Sequence, residues 1–334
     1  MTNKEKILAL LEKNRGKPIS GESIAKTFDI SREAVRKSIN SLKSDGHSIS
    51  AVSNLGYTLS MDSDILSAAG IAPYLSDENW AANIYVFNSV DSTNNKAKEM
   101  AVSGAEHGTV VIAEKQTAGR GRYGRSFHSP SRGGLYFSII LRRERLGISD
   151  TTHITASAAV AVCRAVESVV KGVEPRIKWV NDVFLNGKKI CGILTEAVTD
   201  FESGEIDWIV IGIGINVSTE NMPDEVLAVA TSVFDGLASV DAVRNRIAAE
   251  LINIFLSNES GIFKKEIQAE YKSKSMILGQ TVTVLGSEEP YEAVAIDIDE
   301  DCRLVVKKLD GTIVSLSTGE ISVKLCHTER SEVS

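Results

Sequence analysis

At 334 residues the chain is too long for one ordinary core, and two or three domains are expected. Hydrophobic residues make up 43% and charged residues 24%, with no apolar run near the roughly 20 residues a bilayer span needs; this excludes a spanning helix and, with a polar start lacking a signal stretch, predicts a cytoplasmic protein without a membrane partner. A net charge of −7 excludes wholesale nucleic-acid binding, yet the first 50 residues carry ten Lys/Arg against six Asp/Glu and the remainder 27 against 38, a basic module joined to an acidic body.

In residues 5–14, Ile7, Leu8, Leu10 and Leu11 recur at helical spacing until Gly16 and Pro18 break the helix. Ser20 caps a second short helix that turns Ile24, Ala25 and Phe28 inward, and Ser31 caps a third. Three such helices make a helix-turn-helix, and runs at His47–Val52 and Tyr57–Leu59 around Ser53-Asn54-Leu55-Gly56 predict a two-stranded wing. In the third helix Val35, Ile39 and Leu42 share one face. Ser31, Arg32, Arg36, Lys37 and Asn40 are left as candidate DNA-binding residues; a small protein-interaction domain is the alternative.

Residues Met61–Asn79 read as a weakly amphipathic helical connection. Strand-like runs follow at Asn83–Phe87, Thr109–Glu114, Leu135–Leu141, Arg176–Val180, Ile190–Glu196 and Trp208–Val217, with helices at Asn94–Val102 and Thr152–Val170. Asn186-Gly187 is a type I′ hairpin signal, so part of the sheet is antiparallel and the domain is α+β. Helices at Asp241–Leu256 and Ile262–Tyr271 precede five short strands (Thr281–Leu285, Glu292–Asp297, Leu304–Lys307, Thr312–Ser315, Ser322–Leu325), a small β-barrel by pattern, and a polar tail. Cys163, Cys191, Cys302 and Cys326 are scattered, with neither CxxC nor metal-ligand spacing, and read as reduced thiols.

The segment richest in chemistry runs from Lys115 to Arg125. It contains GxGxxG, but the residues after it cannot open the helix that a dinucleotide site requires. Three arginines (Arg120, Arg122, Arg125) interleaved with glycines instead suit an anion, because glycine lets backbone close around a ligand and each guanidinium offers a fixed fork of donors. Other segments have plainer readings beside functional ones. Asp91-Ser-Thr-Asn94 could be a helix cap, Lys189 a solvated hairpin residue, and Asn181-Asp182 a turn; Gly212 and Gly214 interrupt a strand, as happens where a ligand or another backbone comes close.

Taken together and in order, Asp91-Ser-Thr-Asn94, Gln116-x-x-Gly-Arg-Gly-Arg-x-Gly-Arg125, Lys178-Trp-Val-Asn-Asp182, Lys188-Lys-Ile-Cys-Gly192, Gly212-Ile-Gly-Ile-Asn216 and Gly319-Glu-Ile-Ser322 resemble the bifunctional biotin-protein ligases. The resemblance implies a winged helix-turn-helix (1–60), a mixed-sheet α+β ligase domain like those of class II synthetases and biotin-lipoate ligases (61–275), an SH3-like β-barrel (276–326) and a tail (327–334). It implies a biotin-[acetyl-CoA-carboxylase] ligase that forms biotinyl-5′-AMP from biotin and ATP with Mg2+, transfers biotin to a lysine of the biotin carboxyl carrier protein, and represses biotin genes on operator DNA as an adenylate-bound homodimer.

By the same resemblance Ser92, Thr93, Asn94, Gln116, Gly119, Arg120, Gly121, Arg122 and Lys189 bind biotin; Arg122, Arg125, Phe127, Asn181, Asp182 and Asn216 bind ATP and the adenylate; Asp182 holds Mg2+; and Arg122 and Lys189 are the catalytic pair. The strand 211–215 is expected to face adenylate on one side and to offer a sheet edge for dimerisation or carrier docking. Val180 replaces the family's usual proline and Phe127 its common tryptophan. The polar Ser92–Asn94 and Gln116 fit biotin's ureido group and argue against a lipoate-type ligase, while the complete arginine loop argues against a transcription factor that senses a ligand without catalysis.

Overall fold

The computed structural model describes residues 2–52, 55–146, 150–199, 206–234, 240–257, 261–285, 289–317 and 319–323. At the N-terminus three helices form where the caps predict them. Thr2 and Glu5 make a reciprocal capping box on α1 (Asn3–Lys13), Ser20 accepts from Ser23 N at the start of α2 (Gly21–Phe28), and Ser31 accepts from Ala34 N at the start of α3 (Arg32–Ser44). The wing is β1 (Ile49–Val52) antiparallel to β2 (Gly56–Leu59), with Ile19 bridging Tyr57; Ser53 and Asn54 of the expected turn lie outside the described residues. Ile7, Leu11, Ile24, Val35, Ile39, Leu42 and Leu59 close a core of their own.

The expected helix over Met61–Asn79 is mostly absent. Only α4 (Ala68–Ile71) and 3-10 turns at Ala72–Tyr74 and Glu78–Asn83 form. Side chains from a distant helix take up the polar backbone instead: Ser67 N donates to Asn245 Oδ1 at 3.2 Å, Asn245 Nδ2 to Ile65 O at 3.0 Å, and Asn253 Nδ2 to Tyr74 O at 3.0 Å. Beside them the buried Arg244 pairs with Asp64 (2.9 Å) and Glu114 (2.7 Å), tying the connection to the end of a central strand.

The central sheet has seven strands: β3 (Ile84–Phe87), β4 (Thr109–Ala113), β5 (Gly134–Arg142), β6 (Arg176–Lys178), β7 (Asp182–Leu185), β8 (Lys188–Thr199) and β9 (Ile206–Asn216). Their spatial order is β3-β4-β5-β9-β8-β7-β6, and only the β3–β4 pair is parallel. Strand alternation sorts the two faces. Val111, Ile140 and Val210 pack with Ala97 and Ala101 of α5 (Thr93–Val102). Val110, Ile112, Ile139 and Ile211 belong to the opposite core, with α6 (Thr151–Val169) and α8 (Val243–Leu256); the one-turn α7 (Asp224–Leu227) lies between β9 and α8 in the chain. Asn186 (φ 49°) and Gly187 (φ 79°) are both left-handed, as a type I′ turn requires.

Two boundaries differ from expectation. β6 ends at Lys178 because Trp179 turns aside to donate to Cys302 O at 3.0 Å, and the Trp179–Val180 peptide is cis. The helix expected from Ile262 begins only at Ile267 (α9, Ile267–Lys274), since Phe263 is held in a stack on Phe255 at 5.9 Å. The C-terminal strands β10 (Thr281–Leu285), β11 (Tyr291–Ile298), β12 (Leu304–Lys308), β13 (Ile313–Leu316) and β14 (Glu320–Val323) form an antiparallel sheet in the order β13-β12-β11-β10-β14. Its Val282, Ala295 and Leu304 share the core of the central domain. The end of the last expected strand and the tail, residues 324–334, lie outside the described residues.

Candidate active site and nucleic-acid interface

One end of a cleft over the sheet is built by the start of α5. Ser92 sits at the cap position but its side chain makes no cap hydrogen bond, so the plain helix-cap reading of this cluster fails. Thr93 N donates to Gln116 Oε1 at 2.8 Å, and Gln116 Nε2 donates to Ser129 Oγ at 2.9 Å. Asn94 Nδ2 donates to Leu194 O (3.1 Å) and Glu196 Oε2 (2.8 Å). The fully buried Ser138 Oγ stands 2.7 Å from Asn94 Oδ1 and 2.8 Å from Thr93 Oγ1.

The arginine loop folds back as a hairpin: Gly121 N donates to Arg125 O at 2.7 Å and Phe127 N to Gly119 O at 2.8 Å. A Cβ on Gly119 would come within 2.5 Å of Phe127 O, so only glycine fits that crossing. Arg120 reaches Asn95 Oδ1 (2.6 Å) and Glu196 (3.3 Å), while Arg122 donates to Asn181 Oδ1 at 3.2 Å. At the opposite end Lys189 Nζ lies 2.7 Å from Asp182 Oδ1, whereas Lys188 turns outward to Leu227 O at 2.9 Å. This separates the two hairpin lysines and takes Lys189 out of the solvated class.

The glycines of β9 make the floor. A Cβ at 212 would meet Asn94 Oδ1 at 2.1 Å and one at 214 would meet the Phe127 ring at 2.5 Å. β9 is the fourth strand of seven, between β5 and β8, so the expectation that 211–215 forms a sheet edge is corrected: these glycines admit side chains from other elements.

The resulting cleft holds about 830 Å3 of empty space and is open to solvent. Every expected biotin and adenylate residue lines it except Gly119, which shapes the loop from behind, and Asn216. Asn216, at the end of β9, is buried with its amide 3.5 Å from Lys189 O. Asp182 is the one carboxylate lining the cleft among the described residues, against Arg120, Arg122, Arg125 and Lys189. Four cations around one carboxylate give the cleft the charge to accept two anionic groups side by side. Burial pushes the Cys191 thiol well above its ordinary range, so it is no nucleophile.

Sequence reasoning missed Ser138, Ser129, Lys98 and Glu196. Burial works to raise the Glu196 carboxyl, but hydrogen bonds from Lys98 and Asn94 outweigh it and hold the group below the usual carboxylate range. Ser138 and Glu196 stood in the sequence as polar residues inside the apolar runs Leu135–Leu141 and Ile190–Glu196, a signal of polar contact within the sheet.

On the winged helix, Val35, Ile39 and Leu42 are buried and Arg32, Arg36, Lys37 and Asn40 are exposed on the other side of α3. Arg32 pairs with Glu22 at 2.5 Å and Arg36 with Glu33 at 2.9 Å. Exposed pairs of this kind contribute about 0–1 kcal/mol, weak enough for a phosphate to displace. Ser31 accepts from Ala34 N at the helix cap and keeps its hydroxyl proton to donate.

The Biotin/lipoate A/B protein ligase family matches residues 86–216, an HTH domain matches 3–58, and the Biotin protein ligase C terminal domain matches 277–324. The bifunctional ligase/repressor BirA of Bacillus spizizenii is 37% identical over 70% of this chain and 71% of its own length. That of Escherichia coli is 30% identical over 96% of both. The solved biotin protein ligase of Aquifex aeolicus in complex with biotin and ATP superposes with a TM-score of 0.59 at 28% identity, over 72% of this chain and 98% of that one. With its three folded parts in this order and such relatives covered over 71% and 96% of their length, the chain belongs to the bifunctional ligase/repressor family of biotin-protein ligases.

Proposed function

We propose that the cleft condenses biotin with ATP to biotinyl-5′-AMP and hands biotin to a lysine of the biotin carboxyl carrier protein, and that the winged helix represses biotin genes with the adenylate as corepressor. The observation that carries this reading is the polarity of one cleft: neutral hydrogen-bonding groups at the Thr93–Gln116 end, and Arg122 with Lys189 at the other. The first suits a ureido head, and the second suits a carboxylate beside phosphates. A lipoate-type acid would leave the Thr93–Asn94–Gln116 groups facing an apolar ring, at about 1–3 kcal/mol for each polar group left unpaired.

Biotin is bound by Ser92, Thr93, Asn94, Gln116, Arg120 and Gly121 with its carboxylate toward Lys189. A carboxylate oxygen attacks the α-phosphorus of ATP as the bond to the pyrophosphate oxygen breaks. In the second step the carrier amine attacks the acyl carbon, AMP leaves with the bonding pair, and the amine proton passes to solvent. Arg122, Arg125 and Lys189 neutralise the charge brought together, and positioning does the rest. Asn181 anchors Arg122, and Phe127 supplies an aromatic face for the adenylate. A single carboxylate with phosphates close by fits Mg2+, which takes one or two carboxylates plus substrate oxygens; Asp182 would hold it, and the ion would neutralise phosphate charge.

The domain limits proposed are 1–60, 61–275, 276–326 and 327–334. A +4 module on an acidic body makes few phosphate contacts, so operator binding needs two copies, and adenylate-promoted homodimerisation would supply them. Mass spectrometry after incubation with biotin and Mg-ATP should find biotinyl-AMP retained on the protein. Absence of both the adenylate and pyrophosphate would overturn the ligase reading, and a pure ligand sensor would be left.

A further inference from the structure

A second hollow lies away from the cleft and shares no residue with it. It opens between the entry to β4, the exit from β5 and the segment that follows α8, and holds about 1660 Å3 of empty space with a mouth open to solvent. Its walls are largely apolar. Trp80, Leu146, Phe255 and Phe263 line it, the last two stacked ring on ring at 5.9 Å. Leu256, the last residue of α8, closes on Gly108, where a Cβ would come within 3.0 Å of its side chain.

The charged groups at this hollow are mostly of one sign. Arg145, Lys264 and Lys265 line it against the single acid Glu266, and none of the four has an ion-pair partner among the described residues. The neighbouring Arg142, by contrast, is spent on Asp207 and the Trp208 ring. His107 adds a neutral donor whose tautomer is fixed. Its Nδ1 accepts from Arg142 N at 3.0 Å, and burial, with the charges of Arg145 and Arg142 nearby, holds the imidazole below its ordinary range. The ring proton therefore sits on Nε2, which has no partner among the described residues.

Apolar walls with a few polar groups are what a small-molecule site needs, and the two halves of this one narrow the ligand. A free inorganic anion would leave the aromatic walls in water. A plain hydrocarbon would leave the cations unanswered. A guanidinium fork together with a neutral N–H suits a planar head that carries one negative charge.

We propose that this hollow is a binding site for an aliphatic carboxylic acid, with the chain against Trp80, Phe255 and Phe263 and the carboxylate on Arg145 and His107. The site is independent of what the cleft binds.

The test is calorimetric titration of the full chain with decanoate, with and without excess biotin. The expected result is saturable one-to-one binding that biotin does not displace. Octanoate should bind about tenfold more weakly, since it buries two fewer methylenes, and decanol, which keeps the chain and drops the charge, should also lose about tenfold. Arg145→Ala should weaken decanoate about tenfold and leave decanol within about twofold. Arg143→Ala, exposed on the same turn but outside the hollow, should leave decanoate within about twofold. Absence of saturable binding, decanol binding as tightly as decanoate, or no loss in Arg145→Ala would each overturn the proposal. Displacement of decanoate by biotin would overturn it by placing the acid in the cleft, and tighter binding of decyl phosphate than of decanoate would overturn the carboxylate assignment.

Discussion

The cleft and the recognition helix place similar residues in opposite circumstances. In the cleft the arginine loop, Lys189 and the Thr93–Gln116 network are cross-linked to several elements, and the polar groups beneath them are buried. On α3 Arg32 and Arg36 are held by neighbouring glutamates in exposed pairs. Preorganised groups in a low-dielectric site act strongly and at short range, while exposed charges act weakly and less as salt rises. The ligase should thus fail sharply on single substitutions, and the DNA-binding module should fail gradually unless it is removed.

Removal is the largest effect. Deleting residues 1–60 should abolish operator binding in a mobility-shift titration while leaving biotin transfer measurable, because the cleft takes no residue from that segment. Loss of both activities would show that the two regions fold as one. Next, Lys189→Ala should lower pyrophosphate release by about 10²–10³-fold, as for loss of one preorganised electrostatic partner. Lys188→Ala, whose amine rests on a backbone carbonyl outside the cleft, should stay within about twofold of wild type. The reverse ranking would mean that the hairpin register is misassigned.

A buried histidine sharpens the comparison from the other side, since the winged helix also has one group in cleft-like surroundings. His47 is 6% exposed, and burial, partly opposed by Asp45, pushes its imidazole down to about 4. The folded ring stays neutral to about pH 4, whereas the unfolded one takes a proton near 6.5. Stability is therefore whole above pH 6.5 and drains as pH falls toward 4, by up to about 1.4 kcal/mol per pH unit, roughly 3 kcal/mol in all. Chemical unfolding from pH 7 to 4.5 should show this component in wild type and not in His47→Gln; parallel curves would mean that the ring is hydrated.

The smallest effect is on α3. Arg32→Ala should weaken operator binding several-fold, lower the salt slope by about one, and leave biotin KM and unfolding unchanged within error. A change in biotin KM would mean that the two regions are coupled through this face.

The winged helix and the arginine loop were legible because their signals are local. Ser20 and Ser31 mark helix starts, Asn186-Gly187 marks a turn, and the loop's glycines and arginines lie within one stretch. What escaped depends on partners far along the chain. The connection Met61–Asn79 has helical spacing, but Asn245 and Asn253, nearly 180 residues away, take its backbone groups. Asn216 shares a face of β9 with Gly212 and Gly214, but it stands at the strand's end, buried beside Lys189 O and outside the residues that line the cleft, a placement its motif does not announce. Glu196 matters only once β8 brings it beneath α5, which no spacing in the sequence announces.

The two glycines of β9 have a further consequence. A binding floor of bare backbone contributes no side chain of its own, so the shape of the cleft there is drawn by Asn94 and Phe127 reaching in from a helix and a loop. Substrate preference is thereby separable from the framework. Changing the two visiting side chains would recut the pocket while the hydrogen-bonded register of β5, β9 and β8 stays as it is. An alanine at either glycine would push the visitor out and disturb sheet and pocket together.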